Sequence, residues 1–556
     1  MIKTASLLPL ALFAAACATP QQPEAASASK AVAAPSISLE TLKTVTETLS
    51  SDAFEGRGAA TPAEDKTVAY IAGRFQKAGL QPGNKGSWYQ DVPMVEITAD
   101  PKTSLTISGD KTELDLAYKT DIVAATYRVQ PKIDVVNSDV VFVGYGINAP
   151  ERGWNDYAGI DVKGKTVIIL INDPDYETQT LEGPFEGRAM TYYGRWTYKY
   201  EEAARQGAAA AFIVHDTVPA AYPWGVVVSS WTGPQLGMDA ANGHMDQSQA
   251  IGWLTNDAAR ALMTAAGQDL DTLTAAAKQK GFKAVPLGVK ASISLDNSIR
   301  RQASKNVIGV LPGKKRPDEY VLYSAHWDHL GFCEPDPDGD NICNGAVDNA
   351  SGTAGLIALA EAHAKAGAPD RSIIFLAVTG EESGLLGSQF YADNSVYPLG
   401  QTVGGVNMDG LNILGATRDV TVIGGGKSEL EDYLARAAQS QNRVIEPEPT
   451  PEKGYFYRSD HFSFAKQGVP MIYFESGIDL VDGGRAAGQA KADDYTEHRY
   501  HKPSDEYDPN WNWAGALQDL GLFYTIGREL AETGAWPNWY PTAEFRAVRD
   551  RSRASR

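Results

Sequence analysis

The hydrophobic positions of this chain change period along its length. LETLKTVTETLS (39–50) and TVAYIAGRFQKAGL (67–80) place apolar residues three and four apart, the spacing of helices with one buried face, and Gly79 stands where a helix stops. From Val92 to about Pro131 the pattern turns to short strands. Between 132 and 287, VVFVGYG (140–146) and KTVIILIND (165–173) are continuous apolar runs suited to buried strands. TYKYEEAARQGAAAAFIVHD (197–216) reads as a helix, a glycine stop and a strand, so this stretch predicts a small α/β unit of its own. From Asn306 a regular alternation sets in. Strand YVLYSA (320–325), a helix over 353–366, strand SIIFLAVT (372–379), a helix over 429–439, strand PMIYFE (470–475) and helix WAGALQDLGLFYTIGREL (513–530) follow one another. That alternation predicts an α/β fold with a mixed, largely parallel twisted sheet flanked by helices. No internal repeat interrupts it.

The chain has 556 residues, enough for roughly two to four domains. Its net charge of −19 argues against nucleic acid and anionic membrane surfaces as partners. The N-terminus MIKTASLLPLALFAAAC combines Lys3 with an apolar run from Ala5 to Ala16 that is too short to span a bilayer, which reads as a secretory signal over 1–17. The small residues before Cys17 resemble the lipobox of bacterial lipoproteins, with Ala14 where that motif carries leucine. The resemblance implies cleavage before Cys17, a lipid on its sulfur and a periplasmic, membrane-anchored protein; the alternative is plain export. Residues 18–38 are rich in Ala, Pro, Gln and Ser and read as a disordered tether. In an exported protein Cys333 and Cys343, ten apart in one loop, read as a disulfide.

Candidate chemistry gathers where strands end, the place where open α/β sheets bind ligands. YVLYSA runs into His326-Trp327-Asp328, SIIFLAVTG into Glu381-Glu382, VGGVNM into Asp409, and the loop before the first helix of this region carries Asp348-Asn349. Taken singly each has a plainer reading: a polar loop, a helix cap, two acids in a first helical turn. Their recurrence at one sheet edge points to a two-metal hydrolytic site, in which two zinc ions clamp an attacking water and a substrate carbonyl. Such a site needs a bridging carboxylate, a histidine and a carboxylate on each ion, and a free carboxylate as base. The inventory fits: His326 and Asp409 on one ion, Glu382 and a late histidine on the other, Asp348 bridging, Glu381 as base, and Asp328 orienting His326.

HWDH, GAVDNASGTAG, TGEESGLLGS, NMDG and YHKPSDEYD, in that order, resemble the motifs of the co-catalytic di-zinc aminopeptidase family, across about residues 39–533. Its relatives include bacterial secreted aminopeptidases, glutamate carboxypeptidases, glutaminyl cyclases and the transferrin receptor. The resemblance implies that His326, Asp348, Glu382, Asp409 and His501 hold two zinc ions and that Glu381 is the general base. His501 is favoured over His498 by the Lys502-Pro503-Ser504-Asp505 turn after it. A cis peptide is implied at Asp348-Asn349. RSDHFSFAKQGVP (458–470) resembles the family's segment beside the substrate pocket, which makes Tyr455, Tyr457, Arg458 and His461 substrate-binding candidates, with His461 equally suited to bracing its loop. His215, His244, His329 and His363 read as structural. The stretch 132–287 resembles a protease-associated domain inserted in the catalytic domain, itself formed by 39–131 and 288–540 with a tail at 541–556. DPDGD, Asp336 to Asp340, resembles a calcium loop without its final glutamate; the alternative is an acidic loop closed by the disulfide.

The expectation is an exported zinc exopeptidase acting on peptides with a free N-terminus. Rival readings are a carboxypeptidase, dipeptidase or glutaminyl cyclase on the same fold, and a binding protein that has lost the chemistry.

Overall fold

The computed structural model describes residues 37–100, 104–109 and 112–554. The signal segment, Cys17 and the tether as far as residue 36 lie outside the described residues. No described helix is long and apolar enough to cross a membrane.

A 15-stranded sheet runs through the molecule. At one end Met471–Ile472, Thr402–Asn407, Arg316–His326 and Arg371–Val378 pair in parallel. Every residue of Thr402–Asn407 and Arg371–Val378 is buried, as expected of strands covered on both faces. At the other end Lys132–Phe142, Thr166–Leu170, Ala210–Val214 and Ala250–Leu254 form a second parallel run. The 27-residue strand Val285–Leu311 joins the two. Its last residues pair with Ile373–Ala377, its middle with Tyr89–Ala99, and its first part with Lys132–Phe142.

Helices Leu39–Leu49, Ala63–Ala78, Gly352–Lys365 and Ala514–Glu532 cover the first half, and their apolar faces form its core with Val321, Tyr323, Phe375 and Val406. The helices predicted over 353–366 and 429–439 are found at Gly352–Lys365 and Leu430–Ser440. PMIYFE is divided: Met471–Ile472 extends the main sheet, whereas Phe474–Ser476 pairs with Asp419–Val422 in a small separate sheet.

The second core is larger than the stretch 132–287 suggests. Leu105, Ile107, Leu116, Ile122 and Ala124 pack into it, and so do Val289 to Leu295. The hairpin 104–117 alternates apolar and polar residues, which marks a half-buried strand without saying which core it faces. Val285–Leu311 passes from one core to the other with no loop between them. The expected tail at 541–556 packs against the body over its described residues, 541–554. Phe545 is buried, Arg546–Ala554 is helical, and the buried Arg549 guanidinium donates to the carbonyls of Thr402 (2.9 Å) and Val403 (3.1 Å).

Candidate metal centre

Sheet register brings the site together. His326 pairs with Val378 and Ser324 with Asn407, so the chain leaves three neighbouring strands at one edge and places His326, Glu381-Glu382 and Asp409 side by side. Asp348 reaches the same edge from a kinked turn ahead of the helix Gly352–Lys365, where the Asp348-Asn349 peptide is cis. The turn is held by Asp505, whose carboxylate accepts the N–H groups of Val347 and Asp348 at 3.1 Å. His501 follows the helix Gly484–His498 with φ 58°.

Asp348 faces two ways. Its Oδ1 is 3.4 Å from His326 Nε2, which also lies 2.9 Å from Asp409 Oδ1. Its Oδ2 is 3.2 Å from His501 Nε2, which lies 3.3 Å from Glu382 Oε2. In His326, Glu381 and Asp409, and again in His326, Asp348 and Glu382, one ligand atom per residue lies within 4.8 Å of the others. Ligands held about 2.0–2.2 Å from a tetrahedral zinc ion stand roughly 3.3–3.6 Å apart, so these spacings fit a pair of ions with little rearrangement. The buried His501 Nε2 makes no hydrogen bond of good geometry despite its two carboxylate neighbours, as a nitrogen aimed at a cation would. All five ligands read from the sequence and the base Glu381 converge here.

The electrostatics agree. Burial works against a charge on His326, yet Asp409, Glu381 and Asp348 outweigh it and hold its pKa well above the usual value. His501 is raised in the same way, its burial outweighed by Asp348 and Glu382. Burial, with Asp409, Glu382 and Asp460, pushes Glu381 well above the carboxylate range against the pull of His326. Asp348 is also buried, but its three histidine neighbours hold it low. Crowded carboxylates leaning on histidine protons are what a site built for dications becomes in protein atoms alone.

Other expectations meet a different geometry. The carbonyl oxygen of Asp328, rather than its carboxylate, lies 3.1 Å from His326 Nδ1; the carboxylate accepts the Glu381 N–H at 3.2 Å. The Asp328 carboxylate stands farther from His326 Nδ1, with Oδ1 at 3.8 Å. Tyr457 is buried and donates its hydroxyl to Glu544 at 3.0 Å, away from the metal ligands. Tyr455 is half-buried with the Arg458 guanidinium 5.5 Å from its ring. His461 packs between Phe456 and Tyr473, at ring distances of 4.6 and 4.8 Å, and neither of its nitrogens finds a hydrogen-bond partner, so it braces its loop. Cys333 and Cys343 are bonded, and Asp336 closes the acidic loop between them by accepting the N–H groups of Asp338 (2.9 Å) and Asp340 (3.0 Å).

Two residues at the site escaped the sequence reading. His329, taken as structural, places Nδ1 2.7 Å from Glu382 Oε1 and so orients a ligand; the second histidine of HWDH is the signal. Tyr500 stacks on His501 at 3.9 Å and is 47% exposed, so its ring borders the opening; its position directly before the ligand histidine marks it.

Residues 306–524 match the model of Peptidase family M28. This segment is an M28 peptidase fold. Aminopeptidase NAALADL1 of Mus musculus is 34% identical over 130 residues, 22% of this chain and 16% of that protein. Aminopeptidase YwaD of Bacillus subtilis (strain 168) is 34% identical over 119 residues, 21% of this chain and 23% of that protein. The chain thus spans a quarter or less of these curated relatives' length. Among solved structures, an aminopeptidase from Aneurinibacillus sp. strain AM-1 covers 90% of this chain and 95% of its own, at 21% identity and a TM-score of 0.49. The M28 segment holds all six residues of the centre, and the N-terminal helices and the second core lie outside it.

Proposed function

We propose that this chain is a two-zinc aminopeptidase, removing residues from the free N-termini of peptides. The observation that carries the reading is the Asp348 carboxylate, turned with one oxygen toward His326 and Asp409 and the other toward His501 and Glu382. Zinc, when bound, supplies polarisation of a carbonyl and a water acidic enough to act as nucleophile near neutral pH. Glu381 takes the proton of the attacking water on its carboxylate and returns it to the leaving amine. Burial and the charges of Asp409 and Glu382 raise its affinity for that proton, which suits a group that must hold it between two steps. Asp328 fixes the Glu381 backbone, His329 holds Glu382, and the negative lining suits a substrate ammonium. Export, with a lipid on Cys17, belongs to the same reading; the mass of the mature N-terminal peptide tests it.

The test is cleavage of one peptide in free, N-acetylated and C-amidated forms by zinc-loaded protein. Loss of N-terminal residues from the free and amidated forms, but not the acetylated one, supports the reading. Release of C-terminal residues from the acetylated form refutes it.

A second reading, a preference for substrates with a carboxylate, has its own observation. Arg195, from the second core's unit, is 8% exposed, and its Nε has no hydrogen-bond partner. Neither Arg195 nor its neighbour Arg458 has an ion pair among the described residues, and burial, then the charge of Arg458, lowers Arg195 to about 10. Two neighbouring guanidinium groups without a counter-charge suit an anionic substrate group. Faster cleavage of peptides ending in a free carboxylate than of their amides, lost in Arg195→Met, distinguishes this reading.

A further inference from the structure

Arg57 lies outside the M28 segment, at the end of a short helical turn, Asp52–Arg57, and is fully buried. Its guanidinium makes four hydrogen bonds, all to backbone carbonyls. Nε donates to Trp327 (2.9 Å), Nη1 to Leu49 (2.7 Å) and Asn344 (2.7 Å), and Nη2 to Gly345 (2.9 Å). Trp327 is the residue after His326, and Gly345 opens the turn that carries Asp348. Arg57 also accepts, on its own carbonyl, the N–H of His329 at 3.3 Å, the histidine that holds Glu382. One side chain and its peptide thus tie the loops bearing two of the five ligands, His326 and Asp348, and reach the backbone of the histidine that holds a third. Among the described residues it forms no ion pair.

The backbone is bent to deliver this side chain. Glu55, Gly56 and Arg57 all have positive φ, at 49°, 62° and 51°. Two of the three are not glycine, so the turn carries strain that the surrounding contacts must hold. Gly56 is wedged against the hairpin closed by the disulfide: a Cβ there would meet the carbonyl oxygens of Cys343 and Gly331 at 2.5 Å. A buried cation bound only to neutral carbonyls is a costly way to join loops, and only the planar five-donor fork of arginine reaches four acceptors at once.

We propose that Arg57 is a positioning residue of the metal centre, setting the separation between the His326 loop and the Asp348 turn on which zinc affinity depends. The proposal rests on the metal-centre reading above. Its test compares Arg57→Lys and Arg57→Met with the wild-type chain and with Leu434→Ala, a core substitution in the helix Leu430–Ser440, which carries no ligand. Zinc affinity is measured by competition with a chromophoric chelator, and the ligand field by the visible spectrum of the cobalt-loaded protein. Folding is followed by circular dichroism and the urea midpoint of metal-free protein. Both Arg57 variants are expected to bind zinc about 10- to 100-fold more weakly with an altered cobalt spectrum, whereas Leu434→Ala lowers the midpoint and keeps the affinity. Should Arg57→Met fail to fold, Arg57→Lys, which keeps the charge and loses the fork, carries the comparison. Wild-type affinity and spectrum in Arg57→Lys overturn the proposal alone, as does an equal loss of affinity in Leu434→Ala. A wild-type chain that binds no zinc overturns the metal-centre reading and this proposal with it.

Discussion

His461 offers a sharp test of the loop that borders the site. Its ring is buried between Phe456 and Tyr473 with both nitrogens unpartnered, and burial pushes its pKa down from 6.5 to about 3. A histidine with a depressed folded-state pKa binds its proton more readily in the unfolded chain, so it contributes stability above about pH 6.5 that is lost as pH falls. With an unfolded pKa of 6.5, the unfolded chain gains about 2 kcal/mol from this proton by pH 5.0 and almost nothing at pH 7.5, while the folded chain gains next to nothing at either. His461→Phe keeps a planar ring in the same apolar slot and removes the titration. Urea unfolding of both proteins at pH 7.5 and 5.0 measures the effect as a difference of differences, in which the titrating carboxylates common to both cancel. The wild type is expected to lose about 2 kcal/mol more than the variant over that interval. Equal losses would mean that His461 titrates normally and reaches solvent. Peptidase activity of the variant at pH 7.5 should be unchanged; a large loss would return His461 to the substrate pocket.

Three further outcomes follow from the geometry. Stripping metal with a chelator should lower the melting temperature by about 6 °C per ion, since free zinc at a thousand times Kd adds about 4 kcal/mol and a unit of roughly 300 residues loses about 0.6 kcal/mol per kelvin at its midpoint; an unchanged melting curve in differential scanning calorimetry would speak against bound ions. Tyr500→Phe keeps the ring stacked on His501 at 3.9 Å, so zinc content and kcat should both stay at the wild-type level, whereas a large fall in kcat with zinc content unchanged would place its hydroxyl at the substrate. Tyr457→Phe should cost about 1–3 kcal/mol of stability through the lost bond to Glu544, measured by urea unfolding, and leave kcat alone; a kcat defect would place its hydroxyl at the substrate.

His326, Glu382 and Asp409 were legible because each stands at the end of a strand whose apolar run is unmistakable, and parallel register carries those strand ends to one edge; Asp348, in a turn, and His501, after a helix, were legible only through the motifs around them. Their joint placement, rather than any single motif, made the pattern specific. The pocket residues were harder because a loop's sequence does not say which way alternate side chains turn: Tyr455 and Tyr457 differ by two positions, and only the packed structure shows Tyr457 committed to Glu544. The helix Gly484–His498 gave no periodic signal because it buries only Gly488. The hairpin 104–117 was legible as strands but not as part of the second core, since alternation gives a face and not its partner. Arg57 was invisible in the sequence because its partners are four backbone carbonyls scattered over nearly three hundred positions.

The central claim is that Asp348 joins two metal sites, and metal counting by native mass spectrometry tests it most directly. Wild-type protein loaded with zinc and freed of excess should carry two ions, Glu381→Gln should also carry two, and Asp348→Asn should lose at least one. One ion or none in the wild type, or two held as firmly by Asp348→Asn as by the wild type, would contradict it.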